Sequence, residues 1–326
     1  MDRENNLCTA GIDIGGTKID AALVDTHGNI ISSAYQLLDP SRDADKTITS
    51  AIDLIDKCLK ESGRKPSAIG IGVAGQIDKV SGIVRRSPNL PTWQDVPLGP
   101  RLKEAFKLPV SVDNDVRVST WGEWQHGVGK GLTDLVCVFV GTGVGGGVVS
   151  DGHLMQGCSN TAGELGHLTI VAGGRKCRCP NEGCLEAYAG GWAIAERAQD
   201  AVRANPSGGQ TLLSIAGEVS QISAITVSQA YKKGDPLSQR LIKDTSRYLA
   251  AGVVSIVNAF NPCLIIFGGG VVAGLPDIVS MVEKRVREYA LQTATENLRI
   301  SIGSLGNKAG VIGAAALARD MLGRES

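Results

Sequence analysis

Along the first forty positions, apolar runs stop at clusters of glycine and small polar residues. Thr9 to Ile14 reads as a buried strand, Ile19 to Asp25 as a second and Asn29 to Leu37 as a third, with the turn residues Asp25-Thr26-His27-Gly28 between the last two. The chain thus opens as a β-meander. Helical spacing follows over Ala44 to Ser62, then a strand over Ala68 to Ala74, a helix over Gly99 to Lys107 and a strand from Pro109 to Asp113. Strands followed by alternating helices predict an α/β layer.

The plan then repeats. Leu135 to Val140 is another apolar run, Gly141 to Gly147 a glycine loop, Val148 and Val149 the next strand, and Ser150-Asp151-Gly152 a turn. In IDIGGTK and in VGTGVGG a buried strand runs into glycines and a threonine, and the two loops start 126 residues apart, at Gly15 and Gly141. That separation is the scale of a duplicated domain, not of a solenoid repeat. Helix signals at Cys184 to Val202, Pro236 to Asn258, Asp277 to Tyr289 and Val311 to Leu322 alternate with strands at Cys263 to Phe267 and Leu298 to Ser304. Two related α/β halves are expected.

Composition narrows the partners. The 326 residues are 43% hydrophobic and carry 33 basic and 33 acidic side chains, so no net basic field would hold nucleic acid. The apolar run Leu135 to Val140 is too short to span a bilayer, and the region Leu249 to Leu275 is broken by Asn258, Asn261, Pro262 and glycines. No membrane span is expected. The opening MDRENNLCTAG lacks the basic start and apolar core of a secretory signal, so a cytoplasmic location is expected.

Five of the eight cysteines, Cys8, Cys58, Cys137, Cys158 and Cys263, are scattered and read as small apolar residues. Cys177, Cys179 and Cys184 cluster, and with His167 they supply four ligands within 18 residues. That set suits a closed, structural zinc ion. Arg175, Lys176 and Arg178 either favour the thiolates or are ordinary solvated charges.

Glycines after a strand bring backbone N–H groups close to an anion, so the two loops would grip one nucleotide; either loop alone also reads as a tight turn. Asp13, in an apolar strand just before the first loop, would orient a hydrated magnesium ion. The GxxxxGK[ST] phosphate loop is absent. Gly141, Gly143 and Gly146 fit GxGxxG, but a strand follows where a dinucleotide fold needs a helix. Gly268, Gly270 and Ala273 fit the looser GxGxxA without the rest of such a half, which leaves hydride transfer as the runner-up on pattern alone.

The motifs AGIDIGGTK, SPNLPTW, VDNDV followed by WGE, VGTGVGGG, AGELGH, CRCPNEGCLEAYAGG and IIFGGG occur in that order. Together they resemble the ROK family of sugar kinases and repressors over about residues 9 to 320, most closely its glucose-phosphorylating bacterial and archaeal branch. The resemblance implies a two-domain actin-like α/β fold of the sugar kinase, hexokinase and Hsp70 type, with a cleft between domains. The smaller domain would take residues 1–117 and about 308–326, and the larger 118–307 with a zinc-binding segment at 167–184.

It also implies ATP-dependent phosphorylation of a hexose, glucose first, with mannose, fructose, N-acetylglucosamine or N-acetylmannosamine as alternatives. Asp115 matches the general base. Asn89, Asn114, Glu164, His167 and Glu186 match sugar-binding positions, Asn89 less closely, and His167 would also hold zinc through its other nitrogen. Asp13, Gly15, Gly16, Thr17, Lys18, Thr142, Gly143, Gly268, Gly269 and Gly270 are the expected contacts of ATP and its Mg2+. A homodimer or homotetramer is the implied assembly.

Two departures stand out. Pro180 replaces the glycine usual after the second cysteine, and Arg117-Val118-Ser119-Thr120 replaces a small, asparagine- and alanine-rich stretch. Arg117 is expected on the helix surface, with a phosphate contact as the alternative, and Asp113 is expected to cap the helix over Val116 to His126. A sugar-responsive repressor or sensor is the non-enzymatic alternative. Repressors of the family carry a DNA-binding domain before the first glycine loop, where only ten residues precede Gly11.

Overall fold

A computed structural model describes residues 7–324. Contacts gather the described residues into two compact units, one of residues 7–131, 156–162 and 304–324, the other of 132–155 and 163–303.

In the first unit the meander forms β1 (Cys8–Ile14), β2 (Lys18–Asp25) and β3 (Ile30–Leu37). Helix α1 (Ala44–Ser62) follows, started by Asp43, whose side chain accepts from the Lys46 amide, and ended by Gly63 in the left-handed conformation. Its apolar stripe, Ile48, Ala51, Leu54, Ile55 and Cys58, is buried. Then come β4 (Ile69–Val73), β5 (Gln76–Asp78), β6 (Ile83–Arg86), β7 (Gln94–Val96), α2 (Leu98–Phe106), β8 (Val110–Asn114) and α3 (Asp115–Gln125).

The main sheet runs β3-β2-β1-β4-β8, with β1, β2 and β3 antiparallel and β4 and β8 parallel to β1. The C-terminal helix, Ala309–Arg324, packs on this sheet and on α3. Gly11 and Gly70 permit the approach: a Cβ at Gly11 would lie 1.9 Å from the Val311 carbonyl oxygen and one at Gly70 1.8 Å from that of Ala314. The second sheet, β5-β6-β7, was not expected, because strands of three or four residues are too short to show a period. The whole of α3 lies in this unit, whereas the expected boundary cut it after Arg117.

The second unit repeats the plan. Its sheet runs β11-β10-β9-β12-β13, from β9 (Leu135–Val140), β10 (Val144–Ser150), β11 (His153–Leu154), β12 (Leu264–Gly268) and β13 (Arg299–Ile302). β9, β10 and β11 are antiparallel, and β12 and β13 run parallel to β9. Two five-stranded sheets with the same order and the same switch from antiparallel to parallel are the duplicated architecture of the actin-like fold.

The helices here are α4 (Glu186–Ala189), α5 (Gly191–Ala204), α6 (Gln210–Ala216), α7 (Ala224–Lys232), α8 (Pro236–Phe260), α9 (Gly270–Gly274), α10 (Asp277–Tyr289) and α11 (Gln292–Thr295). The single helix expected over Cys184 to Val202 is two, because Gly190 is extended between α4 and α5. The glycine loop expected over Gly141 to Gly147 is shorter, because Gly145, Gly146 and Gly147 are strand residues paired with Phe139, Val138 and Cys137. No helix among the described residues is long and apolar enough to cross a membrane.

Candidate active site and metal centre

In the first unit, β1, β4 and β8 are parallel neighbours, and their C-terminal ends carry the chemistry. The crevice beyond such strand ends is where open α/β sheets bind ligands. Asp13 is the next-to-last residue of β1, and Asp115 opens α3 directly after β8. Asn114 is the N-cap: its Oδ1 accepts from the amides of Val116 at 3.0 Å and Arg117 at 3.3 Å. Capping therefore falls to Asn114 and not to Asp113. The cap uses the amide oxygen and leaves Nδ2, 3.4 Å from the Gly75 carbonyl oxygen, with donor capacity for a ligand.

Asp13 keeps a little accessible surface, yet its carboxyl sits deep. Burial, helped by the charges of Asp115 and Asp20 and opposed by Lys18, pushes its pKa up to about 7. The carboxylate touches the C-terminal helix, where a Cβ at Gly310 would fall 2.3 Å from Oδ2. The loop Gly15-Gly16-Thr17 closes the β1–β2 hairpin, with the Gly15 amide 3.0 Å from the Lys18 carbonyl oxygen. Asn89 packs on Gly16, and its carbonyl oxygen accepts from Arg42 at 2.9 Å. The Lys18 ammonium pairs with the buried Asp20, which Lys308 also approaches at 3.5 Å.

Arg117 is not a surface residue. It is 3% exposed, and its Nε donates to Oδ1 of the equally buried Asp113 at 3.0 Å. The same oxygen accepts from the Asn114 amide and from Asn160 Nδ2, while Lys79 stands 3.6 Å from Oδ2. Arg117 Nη1 reaches the Ala162 carbonyl oxygen at 3.3 Å. This network ties residues 156–162 to the start of α3. A carboxylate and a guanidinium at i and i+4 across a strand–helix junction were its only trace in the sequence.

In the second unit, Gly141, Thr142 and Gly143 form the turn between β9 and β10. Gly141 and Thr142 accept from the amides of Gly191 and Trp192 at 2.9 and 3.0 Å, which fixes the start of α5. Glu186, at the start of α4, is clamped from both sides. Its Oε2 accepts from the Val144 amide at 2.9 Å and its Oε1 from Trp192 Nε1 at 3.2 Å. A Cβ at Gly143 would sit 2.2 Å from Oε2, so only glycine leaves room for that carboxylate. Trp192 was missed, since nothing in the sequence marks a tryptophan six residues after Glu186 as its partner.

Gly268 and Gly269 carry the chain from β12 into α9, and Gly269 packs on Val140, so this turn and the Gly141 loop lie side by side at the ends of β9 and β12. Glu164 is exposed, immediately before the single turn Leu165–His167.

His167, Cys177, Cys179 and Cys184 bring one ligand atom each within 4.8 Å of one another. Cys179 Sγ and Cys184 Sγ are 3.7 Å apart, as are Cys177 Sγ and His167 Nδ1. A tetrahedral zinc with sulfur ligands at ~2.3 Å requires sulfur separations of ~3.8 Å. Burial, then the two neighbouring sulfurs, pushes the Cys184 thiol up to about 12, so a thiolate there needs a cation to hold it. The residues fit zinc. The turn over Pro180 closes through the Cys177 amide and the Asn181 carbonyl oxygen, 3.0 Å apart, so proline leaves the ligand loop intact. Arg175 and Arg178 pair with Glu196 on α5, and Arg178 also stacks 4.5 Å from the centre of the Trp192 ring.

The chain matches the ROK family over residues 9–321. The chain belongs to that family. It is 34% identical over 320 residues to a glucokinase of Streptomyces coelicolor, covering 96% of this chain and 98% of that protein. The crystal structure of a ROK family glucokinase from Streptomyces griseus in complex with glucose and AMPPNP is 33% identical, with a TM-score of 0.81 over 96% of this chain and 99% of the other. A xylose repressor of Caldicellulosiruptor bescii is 32% identical, matching 96% of this chain and 78% of the repressor. This ROK protein carries an acidic strand edge in the first unit, and a clamped carboxylate and a Cys/His cluster in the second.

Proposed function

We propose that this ROK protein transfers the γ-phosphoryl group of ATP to the 6-hydroxyl of glucose, with Asp115 as the general base. The observation that carries the reading is the convergence of Asp13 and Asp115 on one edge of parallel strands, close enough for each charge to affect the other. Phosphoryl transfer needs alignment and charge neutralisation more than covalent help from the protein. Asp115 accepts the proton of the attacking hydroxyl as its oxygen bonds to phosphorus, and ADP leaves. Mg2+, when bound, neutralises phosphate charge, and Asp13 is the carboxylate to orient it through water.

Glu186 supports sugar recognition, because each carboxylate oxygen spends one lone pair on the clamp and keeps capacity for a hydroxyl. Asn114 Nδ2, Asn89, Glu164 and the free ring nitrogen of His167 complete the set. Zinc on His167 and the three cysteines has no open ligand position, so its role is structural. Gly15 and Gly16, the Gly141–Gly143 turn and the Gly268–Gly270 turn carry the phosphates, with Thr17 and Thr142 beside them. The higher identity to the glucokinase, matched over 98% of its length, favours catalysis over repression.

The test is ATP-dependent phosphorylation of glucose, mannose, fructose, N-acetylglucosamine and N-acetylmannosamine by the purified protein. Preferred turnover of glucose supports the proposal. Turnover confined to another sugar replaces the substrate, and no turnover by folded, zinc-loaded protein rejects a kinase.

A further inference from the structure

The first unit contains a cavity of about 350 Å³ built from residues that the proposed reaction leaves unused. Three elements meet there: the β2–β3 turn with His27, the end of α3 with Trp121 and His126 followed by Lys130, and the C-terminal helix with Arg319 and Asp320. The turn closes tightly, since a Cβ at Gly28 would lie 2.5 Å from the His126 ring.

The guanidinium in this cavity is only partly satisfied. Arg319 Nη1 donates to the Thr26 carbonyl oxygen at 2.6 Å, while Nη2 is buried without a hydrogen-bond partner. Burial lowers the Arg319 pKa, offset in part by Asp25. A desolvated guanidinium lacking a paired anion is costly, and an anion arriving in the cavity would offset that cost. Burial, then Arg319 and Lys130, lowers the His126 pKa, opposed by Asp25 and by a hydrogen bond to the His27 backbone.

Three features oppose an anion. The end of α3 carries partial negative charge, Asp320 lies on the wall and Asp25 is close by. Asp25 is occupied by the amides of His27 and Asn29 at 2.8 Å and by Asn29 Nδ2 at 2.9 Å, which leaves Asp320 as the opposing charge on the wall. Arg319 Nη2, the Lys130 ammonium and the His27 ring remain for a ligand, beside Trp121.

We propose that this cavity is a second ligand site that takes a small phosphate monoester. The phosphoryl oxygens meet Arg319, Lys130 and His27, and the carbon body lies against Trp121. A guanidinium fork with an ammonium suits a phosphate, and the volume suits a ligand of sugar-phosphate size. The site does not depend on which sugar the enzyme phosphorylates.

Calorimetric titration of the protein, saturated with glucose and AMPPNP to block its active site, tests this with two probes, glucose 6-phosphate and inorganic phosphate. One equivalent of bound probe is expected, weakened about tenfold or more in Lys130→Gln and Arg319→Gln, the cost of one charge-assisted hydrogen bond. Lys130 is exposed, so Lys130→Gln keeps the test valid if Arg319→Gln fails to fold. Equal affinity for both probes makes the phosphoryl group the recognised part, and tighter glucose 6-phosphate binding adds the wall at Trp121. No binding of either probe, or binding that Lys130→Gln leaves unchanged, overturns the proposal.

Discussion

In the proposed reaction Asp13 and Asp115 have different tasks, and their substitutions separate those tasks. Asp115→Asn removes the proton acceptor and is expected to lower kcat by about a hundredfold or more while the melting temperature stays near that of the parent. Asp13 titrates at about 7 when folded and near 4 when unfolded, so folding stability falls as pH rises between those values and is flat above. Asp13→Asn carries no such penalty. Without nucleotide or magnesium it should therefore melt higher than the parent at pH 8, with the gap closing towards pH 4. A gap independent of pH would reject the raised pKa. Arg117 makes a third case. Arg117→Met leaves Asp113 buried with Lys79 and two N–H donors, and should cost about 3 kcal/mol in denaturant unfolding, the lower end for a broken buried pair. The sequence placed Arg117 on the surface because helix spacing says which face a residue occupies, not what covers that face.

Elements with long repeats were legible. α1 and α10 lie where their spacing put them, and every strand of the two large sheets except β10 and β11 was anticipated to within two residues. The glycine-rich stretch after β9 was misread for a physical reason: glycine marks a loop only where the backbone leaves the sheet, and Gly145 to Gly147 stay in register. Gly143 is the loop position with a steric task. Gly143→Ala should displace Glu186 from the Val144 amide and raise the KM for sugar several-fold, with a smaller effect on kcat. Glu186→Gln in the Gly143→Ala background should then add little, since both changes spoil one clamp. None of residues 168–182 is buried, so chelation should remove about one zinc per chain and lower the melting temperature, and Cys184→Ser should do the same without chelator.

At the scale of the whole molecule, the repeat of a strand, a glycine turn and a second strand was enough to anticipate two related halves. What it did not reveal was the polar bonding that joins distant segments. Glu123 is buried, and its carboxylate accepts from the amides of Ser304 and Leu305 at 3.1 and 2.8 Å, some 180 residues along the chain. No periodic pattern encodes such a pairing. It anchors the chain where it re-enters the first unit, just before the C-terminal helix. Glu123→Gln keeps the shape but halves the acceptor capacity and should weaken unfolding resistance by about 1–3 kcal/mol, while Glu123→Leu, which strands both amides, should cost more.

The helix over Ala309–Arg324 covers the sheet formed by residues near the start of the chain, whereas residues 132–303 of the second unit all precede it. On a ribosome these two facts become a timetable. The second unit has its whole sheet in hand while the first still waits, one face of its sheet bare, for the helix over Ala309–Arg324 to emerge. A stall late in translation would therefore expose β1 and β4 rather than β9 and β12, and a chaperone trapping such a nascent chain should be found on the early strands.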